Sequence, residues 1–299
     1  MAIRRRGWVP DDVPDVFGRV LRIGTRGSAL ALAQAHAVAE ALGGDVEVVT
    51  ITTSGDRDRG AGDKEKWVKE LELALLAGEV DLAVHSAKDV PTALPDGLIL
   101  VGAPPRADPH DALCGAPSLA ALPIGARVGT ASLRRAAQLR ALREDLEVVE
   151  LRGNVDTRLG KLAAGEVDAA VLAVAGLTRL DREDAVDAVL DELVPAPGQG
   201  VIALEAREDD EAAGAAATAI TDTPSWEALQ TERSLVAALG ASCDTPLGAH
   251  AVDGVVRTFV GLPDGSAWLR DEAPAAEALQ RLLSAGAADL LRRAEEMAA

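Results

Sequence analysis

The decapeptide LLAGEVDLAV at residues 75–84 recurs almost unchanged as LAAGEVDAAV at residues 162–171. A shorter match precedes each copy: RIGT at residues 22–25 stands before the first decapeptide and RVGT at residues 127–130 before the second. Each is soon followed by a serine. Each copy is typical of a strand, a turn and a capped helix, and later a helix that leads into an apolar strand. The ordered repeat therefore predicts an α/β protein with two similar lobes facing each other across a cleft.

Proline-rich stretches mark where the chain would cross between the lobes. APPR at residues 103–106 is the first and PAPGQG at residues 195–200 is the second, and two such crossings are typical of a hinge. The predicted domains are residues 20–103 with 200–220 for lobe 1, 104–199 for lobe 2, and 221–299 for a C-terminal domain.

Composition limits the classes of partner. The chain has 299 residues, a formal net charge of −18 and two cysteines, Cys114 and Cys243. Nucleic acid and anionic membranes need a net basic face, so neither is expected as the main partner. Scarce cysteine and the lack of a long apolar run predict a cytoplasmic protein. Residues 1–19 have Asp and Pro where a signal peptide needs apolar residues, so we expect a loose extension there.

The apolar run at residues 80–84 ends abruptly in the polar stretch HSAKDVP at residues 85–91. Open α/β sheets bind ligands beyond the carboxyl ends of their strands, so this edge is a candidate active site. The alternative is that Lys88 and Asp89 form a solvated turn before Pro91, as most charged loop residues do.

The segment before this edge has the signals of one strand–turn–helix unit. Ser28 is a predicted N-cap for a helix that runs to Leu42, where Gly43 and Gly44 end it. Arg26 lies in the turn between strand and helix.

Lobe 2 concentrates arginines at equivalent junctions. The stretch TASLRR at residues 130–135 places Arg134 and Arg135 in the first turn of a helix, where the helix dipole disfavours cations. We therefore expect an anion to compensate, held by guanidinium forks and the backbone amides of the helix start. Each arginine taken singly is more typical of a protein surface.

The stretch LRGNVDTR at residues 151–158 repeats this arrangement, with Arg152 at a strand end and Arg158 one turn into the next helix. Asn154 is the predicted N-cap of that helix. An alternative to ligand binding is that Asp156 pairs with either arginine.

Five motifs, in order along the chain, resemble those of the porphobilinogen deaminase, or hydroxymethylbilane synthase, family. They are RIGTRGS at residues 22–28, AVHSAKDVP at 83–91, GTASLRR at 129–135, LRGNVDTR at 151–158 and PGQG at 197–200. The resemblance implies two lobes like those of type II periplasmic binding proteins and a small C-terminal α/β domain. That architecture agrees with the internal repeat.

The resemblance also implies an activity. The family joins four porphobilinogen molecules head to tail, releasing four ammonia molecules, to form hydroxymethylbilane for haem biosynthesis. The product grows on a dipyrromethane cofactor attached to a cysteine by a thioether. Each pyrrole carries two carboxylates, which suit the bidentate fork of arginine, and the cationic intermediates call for a protein carboxylate.

Roles follow for the residues that match the family's motifs. Asp89 would be the catalytic carboxylate, and Cys243, in LGASCDTPLG at residues 239–248, would carry the cofactor. The residues expected to hold the cofactor are Ser86, Lys88, Thr130, Ser132, Arg134, Arg135, Arg152 and Arg158. The residues expected to bind the substrate are Arg26, Ser28, Lys64, Arg179 and Gln199. No metal is expected, and the chain is expected to be a monomer.

Taken alone, a cysteine in a loop is usually a small hydrophobic residue, and Cys114 in an apolar strand is typical of a structural thiol.

Some residues depart from the family's pattern. The usual Gly-Lys-Gly run before an aromatic residue is DKEKW at residues 63–67 here, and the loop from Gly55 is several residues shorter. Ser242 stands where the family usually has glycine. These departures leave open how a lid closes over the site.

Two alternatives to the transferase are a non-catalytic anion-binding protein on the same scaffold and a degenerate homologue. Cys243 and Asp89 favour the transferase, since a simple binder needs neither.

Overall fold

The computed structural model describes residues 20–52, 65–241 and 245–298. The strands are β1 (Leu21–Arg26), β2 (Val46–Ile51), β3 (Leu82–Ser86), β4 (Leu98–Gly102), β5 (Asp111–Cys114), β6 (Arg127–Gly129), β7 (Glu147–Val149), β8 (Ala169–Ala173), β9 (Ala188–Leu190), β10 (Ile202–Arg207), β11 (Leu247–Val252), β12 (Val255–Gly261) and β13 (Trp268–Pro274). The helices are α1 (Ala29–Leu42), α2 (Glu65–Leu76), α3 (Leu133–Leu142), α4 (Val155–Ala163), α5 (Val174–Arg179), α6 (Glu211–Ala219), α7 (Thr223–Ala238), α8 (Ala275–Ser284) and α9 (Ala287–Ala298). The predicted loose extension at residues 1–19 lies outside the described residues.

The internal repeat corresponds to two five-stranded sheets with the same arrangement of strands in space. The first has the order β2-β1-β3-β10-β4 and the second the order β7-β6-β8-β5-β9. In each, the first three strands are parallel, and the fourth runs antiparallel to the neighbours on both sides. The fourth strand precedes the other strands of its sheet in the second lobe (β5) and comes last in chain order in the first (β10). The prediction of an α/β fold with two similar lobes is confirmed.

Helices cover both faces of each sheet, as parallel strands require. In the first lobe α1 and α6 pack on the face that carries Leu82 and Val84, and α2 packs on the opposite face against Ala83. In the second lobe the largest apolar cluster includes Leu139 of α3, and a separate cluster includes Leu172 and Leu177. The core of each lobe is thus divided by its sheet.

The C-terminal part of the chain forms a third, smaller sheet. Its antiparallel order is β11-β12-β13, and α8 and α9 bury their apolar residues on it together with Leu235 and Val236 of α7. Both helices are strongly amphipathic, which is why they need a sheet face to cover. This is the small C-terminal α/β domain that the family resemblance implied.

The chain divides into two compact units rather than three. One contains the residues up to Pro105 with Ile202–Trp226, and the other contains Arg106–Val201 with the residues from Glu227 onward. The second lobe and the C-terminal sheet therefore belong to one unit. The three-domain division, with boundaries after residues 103, 199 and 220, stays a prediction.

A buried carboxylate joins separate parts of the second unit. Glu232 of α7 accepts hydrogen bonds from the guanidinium of Arg106 (2.6 Å), the backbone N–H of Gly198 (2.6 Å) and the backbone N–H of Ala251 (2.8 Å). Burial raises the pKa of Glu232, and the Arg106 charge opposes that rise. Both predicted crossing segments are thus anchored on one helix of the C-terminal part.

The two predicted N-caps, Ser28 and Asn154, are confirmed, and Ser132 caps a third helix. The side chain of Ser28 accepts from the N–H of Ala31, that of Ser132 from Arg135, and that of Asn154 from Thr157. Helix α1 ends at Leu42, and Gly43 has a φ of 64°, which glycine adopts without strain. Within the described residues, no helix combines the length and the apolar character that crossing a membrane requires.

The repeat also duplicates an ion pair. Asp81 accepts from the backbone N–H of Arg22 (2.9 Å) and from its guanidinium (2.9 Å). Asp168 accepts from the backbone N–H of Arg127 (2.7 Å) and from its guanidinium (3.0 Å). The two aspartates differ in burial, because the side chain of Asp81 is 0% exposed and that of Asp168 is 43% exposed.

This difference in burial predicts unequal effects of the same substitution. Asp81→Asn should lower the free energy of unfolding by about 2–4 kcal/mol, since it removes a buried charge that accepts several hydrogen bonds. Asp168→Asn should cost much less, because solvent screens an exposed pair. Urea unfolding of both variants measures the difference, and equal losses would contradict the burial argument.

Candidate functional site

The first lobe has an open concavity at the carboxyl ends of β1 and β3. Its lining residues are Arg26, Ser28, Leu30, Ala31, Gln34, Val68, Val84, His85, Ser86 and Asp89. Four of the sequence-predicted site residues, Arg26, Ser28, Ser86 and Asp89, therefore line one space. The edge where polar residues follow β3 is where an open α/β sheet binds ligands.

The local sequence explains how β3 presents these groups. The apolar strand ends at Ser86, and a short 3-10 turn, Ala87–Asp89, follows before Val90 and Pro91. Ala87 and Val90 are buried, whereas Lys88 and Asp89 are partly exposed. The turn is thus held by its apolar residues and leaves its charged side chains in contact with solvent.

Gln34 is a site residue that the sequence analysis did not identify. It is buried on α1, and its Nε2 donates to Ser86 Oγ over 2.8 Å. A signal was present, because Gln138 stands at the same distance after its own N-cap, Ser132, as Gln34 stands after Ser28. Gln138 is also buried, and it bonds the backbone of Val194 through both its amide oxygen (2.7 Å) and its nitrogen (3.0 Å).

In the second lobe, Arg134 and Arg135 lie against a buried aspartate, Asp111. Arg134 Nη1 is 2.8 Å from one carboxylate oxygen, and Arg135 Nε is 2.9 Å from the other. Burial alone would raise the pKa of Asp111, but the two guanidiniums outweigh that effect and hold it well below its usual range. The anion that the sequence predicted beside these arginines is therefore supplied, at least in part, by the chain itself.

One positive charge of this cluster is left over. Two guanidiniums face one carboxylate, and burial lowers the pKa of Arg134 while Asp111 opposes that shift. The Nε of Arg134 is buried and has no hydrogen-bond partner among the described residues. A buried, cationic donor of this kind fits a further anionic group.

Gln199 and Arg179 are held near the second crossing segment. Gln199 Nε2 donates to Asp111 Oδ1 (2.8 Å) and to the backbone carbonyl of Pro109 (2.6 Å). Arg179, at the end of α5, donates to the carbonyl of Gly200 (2.7 Å), and burial lowers its pKa to about 10. The structure thus brings Gln199 to the same aspartate as the two arginines.

Arg152 precedes α4 and Arg158 lies in its first turn. The guanidinium of Arg152 is exposed and lies 2.7 Å from Glu150, while Arg158 is partly buried. Asp156, the alternative partner considered for both, pairs with Arg182 at 2.6 Å.

The hydroxyl groups of Thr130 and Ser132 accept hydrogen bonds from backbone N–H groups at the start of α3. Thr130 Oγ1 accepts from the N–H of Ser132 (3.2 Å), and Ser132 caps the helix.

Cys114 is buried in an apolar cluster, as predicted for a structural thiol, and burial raises its pKa to about 11. Two predicted site residues, Lys64 and Cys243, lie outside the described residues.

Comparison with known proteins decides the family. Residues 21–215 match the family described as porphobilinogen deaminase, dipyromethane cofactor binding domain. The chain belongs to the porphobilinogen deaminase family. The porphobilinogen deaminase of Deinococcus radiodurans is 44% identical over 93% of this chain and 100% of its own. Those of Roseiflexus sp. (50% identical) and Thermus thermophilus (47%) cover 83% and 85% of this chain, and 88% and 89% of their own.

Among solved structures, immunogenic lipoprotein A from Vibrio vulnificus aligns with 71% of this chain and 99% of its own, at 18% identity and a TM-score of 0.43. That likeness is too low to carry an argument, so the fold assignment rests on strand order and pairing. The family match spans both lobes and both clusters of polar residues described above.

Proposed function

We propose that this member of the family is a hydroxymethylbilane synthase. It is a transferase that joins four porphobilinogen molecules head to tail, with release of four ammonia molecules, on a dipyrromethane primer. The observation that carries the proposal is the surplus positive charge on Arg134 and Arg135, whose buried guanidiniums share Asp111 and leave a donor nitrogen without a partner. Carboxylates of a pyrrole chain have the charge and the geometry that such a site accepts.

The residues of the second lobe fit the cofactor. Arg134, Arg135, Arg152 and Arg158, with the hydroxyls of Thr130 and Ser132, would hold its acetate and propionate groups. The dipyrromethane supplies the free pyrrole carbon to which the first substrate is joined. The attachment residue, Cys243, is assigned by its match to the family's motif, together with Ser86 and Lys88 as cofactor-binding residues of the first lobe.

The lobe-1 concavity supports the substrate role of its residues. Arg26 would pair with a substrate carboxylate, and Ser28 would donate a hydrogen bond to it. Asp89 would stand near the aminomethyl group, where loss of ammonia leaves positive charge spread over the carbon and the pyrrole nitrogen. A preorganised carboxylate stabilises that charge as it develops. Lys64, Arg179 and Gln199 are the other proposed substrate-binding residues.

The non-catalytic anion-binding alternative is not favoured. A binder needs cationic groups but no carboxylate in its pocket, whereas Asp89 lines the concavity together with Arg26. The family match likewise gives no support to it. A monomeric state and a cytoplasmic location stay predictions.

The arginines of the two lobes are predicted to fail at different stages. Arg135→Leu should give protein without the covalent cofactor, whereas Arg26→Leu should give cofactor-loaded protein that stalls after few substrates. Each lost charge-assisted contact is worth about 1.5–3 kcal/mol, enough to block loading without unfolding the chain. An intact-mass series of each variant, after brief exposure to porphobilinogen, measures the stage reached.

The control for this experiment is folding. Arg135→Leu leaves Asp111 paired with Arg134, so circular dichroism should show a folded protein. Identical mass series for the two variants would contradict the division of roles between the lobes.

A further inference from the structure

The first lobe buries a histidine–glutamate pair to which the proposed mechanism gives no role. His85 Nε2 lies 2.9 Å from Glu205 Oε2, and the two side chains are 3% and 0% exposed. His85 belongs to β3 and Glu205 to β10, the antiparallel strand beside it. Within the described residues, His85 Nε2 and both carboxylate oxygens of Glu205 make no hydrogen bond, so the two groups are in close polar contact without hydrogen-bond geometry. Burying such a pair costs desolvation energy that its mutual attraction only partly returns.

The second lobe shows what the fold requires at these two positions. Val84 pairs with Leu204 in the first sheet, as Val171 pairs with Leu113 in the second. His85 follows Val84 and Glu205 follows Leu204, so their counterparts are Leu172 and Cys114. Both counterparts are buried in one apolar cluster, 2% and 1% exposed. The same arrangement of strands is therefore built with apolar residues at these two positions.

The pair also lies beside the proposed reaction site. His85 lines the concavity together with Asp89, and only three residues separate them along the chain. Other charged groups in its surroundings are Glu72, buried on α2, which packs against β3 and β10, and Arg26 and Lys88 near the concavity. His85 is the last residue but one of β3, so a contact that restrains its side chain acts close to the start of the following turn, Ala87–Asp89.

We propose that the buried His85–Glu205 pair is a positioning device for the reaction, which holds the end of β3 and the Asp89 turn in one arrangement against β10. This inference rests on the proposed role of the lobe-1 concavity. Glu205 acts through His85, and His85 acts through the backbone that carries Asp89. The pair thereby performs a task that the second lobe, with Leu172 and Cys114, does not need.

The test places the residues that the second lobe has at these two positions into the first lobe. In the holoenzyme, His85→Leu combined with Glu205→Cys replaces the pair by its natural apolar counterparts. We expect the covalent cofactor mass to be retained and thermal stability to match or exceed that of the wild type, since apolar replacement of a buried pair is often neutral or stabilising. We expect kcat to fall by about 10- to 100-fold, because a small misplacement of a reacting group lowers the rate by about that much. KM for porphobilinogen should change little.

Cys114→Ala is the matched control, because it alters the position equivalent to Glu205 in the other lobe. It should leave kcat and KM unchanged. If the double variant does not fold, Glu205→Gln, which keeps the shape and replaces the carboxyl group by an amide, provides the measurement. A lower kcat at unchanged KM for this variant supports the proposal.

Wild-type kcat in the double variant, or in Glu205→Gln, would overturn the positioning role. Loss of the cofactor mass in these variants would also overturn it, since the pair would then serve assembly. A wild-type protein that consumes no porphobilinogen would instead overturn the proposed function.

Discussion

Replacement of Cys243 by alanine is expected to remove the covalent cofactor and all turnover. The wild-type protein should have an intact mass that exceeds that of the bare chain by two linked pyrrole units, located on the peptide that contains Cys243. The variant should have the bare-chain mass, because a thioether cannot form without a thiolate. Mass spectrometry of the intact protein and of its peptides measures both expectations.

The second cysteine provides the control. Cys114 is buried among apolar side chains, and burial raises its pKa to about 11, which suppresses the reactive thiolate. Cys114→Ala should therefore keep the mass increment and the activity. An active Cys243→Ala protein, or an increment found on another peptide, would show that the assignment of the attachment residue is wrong.

Asp89→Asn is expected to reduce turnover by about 100- to 1000-fold, the usual loss when one preorganised charge contact is removed from an active site. The substitution keeps the size of the side chain and removes the charge that would stabilise the cationic intermediates. Asp89 is partly exposed at the end of a short turn, so the fold and the cofactor mass should be retained. Steady-state kinetics with porphobilinogen, together with intact mass, checks this result.

Asp168→Asn is the matched control for this prediction. Asp168 is a partly exposed aspartate that pairs with Arg127 in the other lobe, and the proposed mechanism gives it no role. Turnover should be the same as in the wild type. If Asp89→Asn also retained near-normal turnover, the catalytic carboxylate would have to be another residue.

The sequence predicted an anion beside Arg134 and Arg135 but did not identify Asp111 as that anion. The unfavourable position of Arg134 and Arg135 in the first turn of α3 predicted a compensating anion. Its identity could not be predicted, because Asp111 precedes the helix by more than twenty residues and reaches it through the pairing of β5 with β8. Gln199, assigned by its motif, meets the same carboxylate from the second crossing segment.

The sequence by itself determined the features that depend on neighbouring residues. Ser28 and Asn154 cap their helices because an N-cap side chain bonds an amide only three residues away. The repeated apolar and charged pattern determined two lobes of like topology, since strand and helix periodicity is local and each copy carries it complete. The order of the five motifs determined the family.

Only the tertiary structure decided which distant side chains meet. The pairing of β10 with β3 places Glu205 beside His85, while the equivalent pairing of β5 with β8 places Cys114 beside Leu172. The same register thus buries two ionisable side chains in one lobe and two apolar ones in the other. The physical reason is that the register between strands far apart in the chain is set by the packing of whole sheet faces, and no short stretch of sequence contains that information.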